Sequence, residues 1–171
     1  MKQNVSAAML EMTNIFGGDL HQINHAMKVY AFARIIGQAQ GLDEYQQYIL
    51  DLASILHDIG IPRALQVHGS AAGNFQEQEG PSVSDQILHG LEEDGEVMET
   101  VRFLIAHHHT YTNIVSPLHQ ILVEADFLVN LDEENMGRLQ AASVRDNIFK
   151  TSMGIQLLTR MFLNEEKESA Q

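Results

Sequence analysis

The 171-residue chain has no cysteine, no tryptophan, only three prolines, and ten basic residues against twenty-three acidic ones. The missing cysteines exclude disulfides, thiolate metal sites and a cysteine nucleophile, and they leave the redox compartment unmarked. The shortage of lysine and arginine brings the formal charge to −13. Such an acidic surface lacks the phosphate-neutralising patch on which nucleic-acid binding rests, so bulk nucleic acid is not an expected partner. No stretch approaches the roughly 20 consecutive apolar residues of a membrane span, and Met1–Leu10 carries one lysine without an apolar core of signal-peptide length. A cytoplasmic protein, away from membranes, is the expectation. No internal repeat of solenoid period is visible.

Apolar residues make up 44% of the chain. That suits one domain that buries roughly two thirds of its unfolded surface. The expected organisation is a single helical domain over residues 1–164 and a charged, frayed tail at 165–171. Apolar positions recur at helical spacing almost throughout, and no segment alternates between hairpin turns, so the fold class is all-α. The spacing predicts helices over Ser6–Phe16, Asp19–Gln38, Asp43–His57, Ser82–Glu92, Glu96–His108, Pro117–Leu131 and Ala142–Leu163. Gly17-Gly18 separates the first two, Asp43 caps the third, Gly60 and Pro62 stop it, and Pro117 suits a first helical turn. The segment Ile61–Pro81 contains Gly69, Gly73 and Gly80 and has little apolar periodicity. It reads as a long irregular loop, a kind of segment that often carries function.

Nine histidines are present, and the helical stripes sort them. In the second predicted helix His25 shares a core-facing stripe with Val29, Phe32 and Ile36, with His21 one turn earlier. In the third, Leu50, Ala53 and His57 repeat the pattern before the helix stops at Asp58-Ile59-Gly60. The fifth aligns Val97, Val101, Leu104 and His108, with His107 beside them behind Phe103. The sixth places Asp126 on the stripe of Leu122 and Val129, in a helix apolar nearly all round. A carboxylate there is expensive unless paired or bound to a metal, and no lysine or arginine occurs between Arg102 and Arg138. Inward histidines do occur. Two or three imidazoles with one or two carboxylates suit a divalent transition metal such as Fe, Mn, Co, Ni or Zn. Each residue alone has another reading. His25 fits a hydrogen-bonded core position, His57-Asp58 a helix end, and Asp126 an acceptor of backbone amides. The four together favour a metal. His21 is assigned to the rim of such a site, His68 to a ligand or substrate contact, and His89 and His119 to the surface.

The segments His25-Ala26-Met27-Lys28-Val29, Leu56-His57-Asp58-Ile59-Gly60, Ile105-Ala106-His107-His108 and Glu124-Ala125-Asp126-Phe127, in that order, resemble the HD-domain superfamily of metal-dependent phosphohydrolases. The likeness spans residues 19 to about 132 and implies a bundle of about six or seven helices around one or two metal ions. It implies His25, His57, Asp58 and Asp126 as ligands of a first metal. His107 and His108, with His109 as a register alternative, point toward a second. Two-metal members carry a further histidine four residues ahead of a Gly-Ala pair, where this chain has Gln76-Glu77-Gln78-Glu79-Gly80-Pro81. Glu77 or Glu79 would then serve as an oxygen ligand or a general base. Many relatives have lysine after Asp-Ile-Gly; here Ile61 stands in its place, and Arg63 is the expected substrate-binding cation. The implied activity is hydrolysis of a phosphate ester or anhydride of a small molecule, foremost a nucleotide, by metal-activated water. His107 or a loop glutamate would handle protons. A regulatory or signalling domain without catalysis, and a di-iron oxygenase, are the alternatives. A small-molecule phosphate is the expected partner, and a homo-oligomer is compatible with the sequence.

Overall fold

A computed structural model describes residues 2–164. They form α1 (Lys2–Phe16), α2 (Leu20–Gln40), α3 (Glu44–Leu56), α4 (Ile61–His68), α5 (Gly73–Gly90), α6 (Gly95–Ile105), α7 (Pro117–Glu133), α8 (Arg138–Asn147), α9 (Ser152–Leu158) and a closing π-type turn, Thr159–Leu163. The fold is all-helical, as its periodicity implies. The expected frayed tail at 165–171 lies outside the described residues. No described helix is long and apolar enough to cross a membrane.

The central element is α3, whose side chains are buried from Gln47 to Leu56. Its start is set by a capping box, with Asp43 accepting from the Gln46 amide at 2.8 Å and Gln46 reaching back to the Asp43 amide at 3.2 Å. Around it, α2 packs along both α3 and α7, α1 lies on α3, and α5 crosses α6, which returns to α3. Ile36, Leu50, Leu52, Leu56, Leu104, Ile121 and Leu122, all but fully buried, fill the space between them. Each such side chain stabilises the fold by about 1.5–3 kcal/mol. That packing brings the N-terminal part of α2 and the middle of α7 to the C-terminal end of α3, beside the turn that follows α6.

Two expectations need correction. The segment predicted as an irregular loop, Ile61–Pro81, is mostly helical: it holds α4 and the first half of α5. Pro62 opens α4 in its first turn and so starts a helix beyond the one it ends. Pro81 sits inside α5, where it lacks the N–H that would bond the Glu77 carbonyl. Gly80 is there for close packing. A Cβ on Gly60 would come within 2.6 Å of the Gly80 nitrogen, and one on Gly80 within 2.7 Å of Ile105 Cγ2. Two backbones touch at this crossing, so Gly80 lacks a side chain inside a helix and Gly60 lacks one in the turn that ends α3.

The predicted final helix, Ala142–Leu163, is broken between α8 and α9. The cause is Glu124 of α7, a fully buried carboxylate. It accepts the backbone N–H groups of Lys150 at 2.6 Å and Thr151 at 2.9 Å, the Thr151 hydroxyl, and the Gln120 side-chain amide at 2.8 Å. A continuous helix would commit those backbone donors to its own ladder and leave Glu124 unsolvated. Thr151 then caps α9, its hydroxyl accepting from the Gly154 amide at 3.0 Å.

Candidate metal centre

His25 projects from the second turn of α2, His57 and Asp58 from the turn that ends α3, and Asp126 from the middle of α7. All four are buried. His25 Nε2 lies 3.2 Å from His57 Nε2, 3.2 Å from Asp126 Oδ1 and 3.5 Å from Asp58 Oδ2. His57 Nε2 is 3.4 Å from Asp58 Oδ2 and 3.7 Å from Asp126 Oδ1. Two ligands each about 2.1 Å from a tetrahedral or octahedral ion stand about 3.0–3.4 Å apart, so most of these separations are ligand-to-ligand distances. The other oxygen of Asp58 turns the opposite way, 3.3 Å from His108 Nε2. Asp58, His108 and His109 form a second group of potential ligands, all within 4.8 Å of one another, as do His25, His57 and Asp58. Asp58 is common to both groups.

The outer ring nitrogens decide what the inner ones can do. His57 Nδ1–H donates to the Ser54 carbonyl at 2.9 Å, and His108 Nδ1–H to the Ile105 carbonyl at 2.7 Å. His25 Nδ1–H donates at 2.9 Å to Glu133, whose other oxygen is held by Lys28 at 3.0 Å. Each Nε2 therefore offers a lone pair inward, toward other lone pairs and carboxylates. With His25 neutral only a metal ion reconciles such a cluster; without one a proton on His25 Nε2 does so, donating to Asp126 Oδ1 at 3.2 Å. The protonation behaviour carries the same message. Burial pulls His25 down, but Asp126, Asp58 and Glu133 outweigh it and raise its imidazole to about 9. Burial pushes the two aspartates up, yet His57 and His108 around Asp58, and His25 and His57 around Asp126, hold both well below the ordinary carboxylate range. Two imidazole nitrogens and two carboxylates fit a divalent transition metal, with Glu133 fixing the tautomer of one ligand.

Other residues singled out by the sequence lie elsewhere. His107 stacks on Phe103, with ring centres 4.3 Å apart, and its Nδ1–H donates to the Phe103 carbonyl at 2.8 Å, outside both groups. His109, a register alternative, takes the inner position because α6 stops at Ile105 and the chain turns. Glu77 accepts from the His109 amide at 3.0 Å and the Thr110 hydroxyl at 2.9 Å, and so pins that turn. Glu79 pairs with Arg63 at 2.7 Å and His68 at 2.9 Å, and these partners hold its carboxyl below the usual range. Arg63 and His68 are thus occupied by Glu79, with His68 also stacked on Phe75. His119 is buried and not on the surface. Its Nε2–H donates to the His107 carbonyl at 2.8 Å, tying the turn after α6 to α7.

Residues missed in the sequence complete the site. Gln76, where relatives with two metals place histidine, is buried, and its Oε1 accepts from His109 Nε2 at 3.2 Å. Asn130 donates to Asp126 Oδ1 at 2.9 Å from one turn further along α7, a spacing that is readable once Asp126 is placed inward. Glu133, two turns beyond Asp126, is readable on the same ground. A cavity of about 230 Å³ opens over His25, Asp58, Asp126 and His109.

The family model described as HD domain matches residues 23–131, well over half of the chain and all of the residues around Asp58. Nothing among curated proteins or solved structures matches the chain significantly. The order and convergence of His25, His57, Asp58 and Asp126 agree with that match, and the chain belongs to the HD-domain family.

Proposed function

We propose that the protein is a metal-dependent phosphohydrolase that cleaves a phosphate ester or anhydride of a small molecule, with nucleotides the leading class. The observation that carries this reading is the cation-demanding cluster at the floor of an open cavity, whose wall includes Ile61 and Gln76 from the segment beyond the His57-Asp58 pair. His25, His57, Asp58 and Asp126 would hold one ion, and Asp58 Oδ1 with His108 would start the shell of a second. A divalent ion bound there lowers the pKa of water and neutralises phosphoryl oxygens. The chain's own groups do the rest. Glu133 and Lys28 orient His25, and the Ser54 and Ile105 carbonyls orient His57 and His108. His109 is kept neutral, drawn down to about 4 by burial and by His108. The Tyr111 hydroxyl donates to its Nδ1 at 3.2 Å. Its Nε2–H, given to Gln76 Oε1 at 3.2 Å, is the neutral donor on the cavity wall, placed to exchange that partner for a phosphoryl or leaving-group oxygen in the role expected of His107.

A domain that binds metal only for structure would be served by a closed shell, so the open cavity favours catalysis. The test is hydrolysis of a nucleotide panel and an aryl phosphate by protein loaded in turn with Mn, Fe, Co and Ni. Turnover that is lost in His57→Ala is expected; no turnover, or equal turnover in the variant, would overturn the proposal. Iron content with oxygen consumption separates it from the oxygenase alternative.

A further inference from the structure

We infer that the cavity over the metal cluster selects phosphomonoesters whose remaining part is uncharged and hydroxyl-bearing, such as nucleoside monophosphates, and disfavours di- and triphosphates. The inference rests on the phosphohydrolase reading and narrows its substrate class. Apart from cluster residues, the cavity is lined mainly by His21, Gln22, Gln76, Asn130, Glu133 and Glu134. Among the described residues that line it there is no lysine or arginine. The sequence-predicted cation, Arg63, donates to Glu79, and Lys28 is bound to Glu133. A phosphoryl group can therefore be neutralised only at the floor.

Size sets how much of a substrate reaches that floor. At about 230 Å³ the cavity falls below the roughly 300–1,000 Å³ of sites that enclose a whole ligand. The reacting phosphoryl group enters, and the remainder of the substrate lies across the rim. That rim ends α7, where the helix dipole is already negative, and it adds the carboxylate of exposed Glu134, whereas that of Glu133 is shared between His25 and Lys28. His21 Nε2 stands 3.5 Å from Glu133 and faces that carboxylate. Further phosphates of a diphosphate or triphosphate would meet like charge along this edge. A ribose would not. Gln22 and Asn130 present amides there, and Asn130, whose amide nitrogen is given to Asp126, keeps its carbonyl oxygen to accept from a hydroxyl.

The test compares the monophosphate and triphosphate of one nucleoside on metal-loaded protein, wild type, Glu134→Gln and Glu134→Lys. Glu134 is exposed, so both variants should fold. The expected kcat/KM preference for the monophosphate is about tenfold or more. It should shrink by about threefold in Glu134→Gln, further in Glu134→Lys, and also as salt rises from about 0.05 to 0.5 M. Calorimetric titration with a phosphonate analogue of the monophosphate and an imido analogue of the triphosphate should give the same order of affinities. A triphosphate turned over and bound as well as the monophosphate, or a preference unmoved by Glu134→Lys, would overturn the inference and leave the phosphohydrolase reading standing. No turnover of any phosphate with any metal would overturn both.

Discussion

Asp126 shows what a single residue can disclose. It sits on the apolar stripe of Leu122 and Val129, buried, and its need for a partner leads to His25 and His57. Replacing it with asparagine keeps the volume and removes one ligand charge, so Asp126→Asn should lose metal in elemental analysis while its helical circular dichroism persists. The hydrogen-bond partner behind a ligand matters nearly as much. Glu133→Gln should weaken metal binding by about 10- to 100-fold in calorimetric titration; unchanged affinity would remove Glu133 from the site. Glu79 offers a pH signature away from the metal. His68 and Arg63 lower its pKa in the folded protein. Its contribution to stability is therefore present above the unfolded value near 4.5 and is lost as pH falls through the lower folded value. Thermal unfolding followed from pH 6 downward should show a shallower acid decline in Glu79→Gln. Residue type also explains what was hard to read. Gln76 is uncharged and in no obvious ligand pattern, whereas Glu77 and Glu79 beside it look like ligands and are spent on a turn amide, a hydroxyl, Arg63 and His68.

At the level of elements, the inward directions of His25, His57 and Asp126 follow from helical periodicity, because each shares a stripe with aliphatic residues of the core. The triplet His107–His109 lies past Ile105, where α6 ends, so no helical period governs it and its register becomes visible only in the fold. Glycine and proline misled for a related reason. Gly80 and Pro81 are turn signals on average, but here both lie inside α5, and Gly80, with Gly60 in the turn after α3, allows α5 to cross the α3–α4 corner at backbone contact. Gly80→Ala would push a methyl group toward Ile105 and should destabilise the protein by about 2 kcal/mol in urea unfolding. It should also weaken metal binding, since the Ile105 carbonyl holds the His108 ring. Glu124 escapes a sequence reading because its partners, the amides of Lys150 and Thr151, are far away in sequence and carry no side-chain signature. Glu124→Ala leaves those amides without their acceptor and should destabilise by about 3 kcal/mol in urea, with metal binding intact.

Across the whole molecule, the bundle joins ligands from α2, the end of α3 and α7 around one centre, with His108 brought beside them by the turn after α6. A metal bound only by the folded chain stabilises it by mass action. Chelation should lower the melting temperature, and re-addition of Mn or Zn should restore it in a concentration-dependent way. The acidic surface acquires a local meaning as well, because its carboxylates at the end of α7 edge the cavity in which phosphate chemistry is proposed. The central claim is that His25, His57, Asp58 and Asp126 hold a divalent ion. Anomalous diffraction at the manganese edge, from crystals grown with Mn²⁺, tests it most directly. A peak bounded by His25 Nε2, His57 Nε2, Asp58 and Asp126 is predicted; manganese bound only elsewhere, with those four side chains in contact with one another alone, would contradict it.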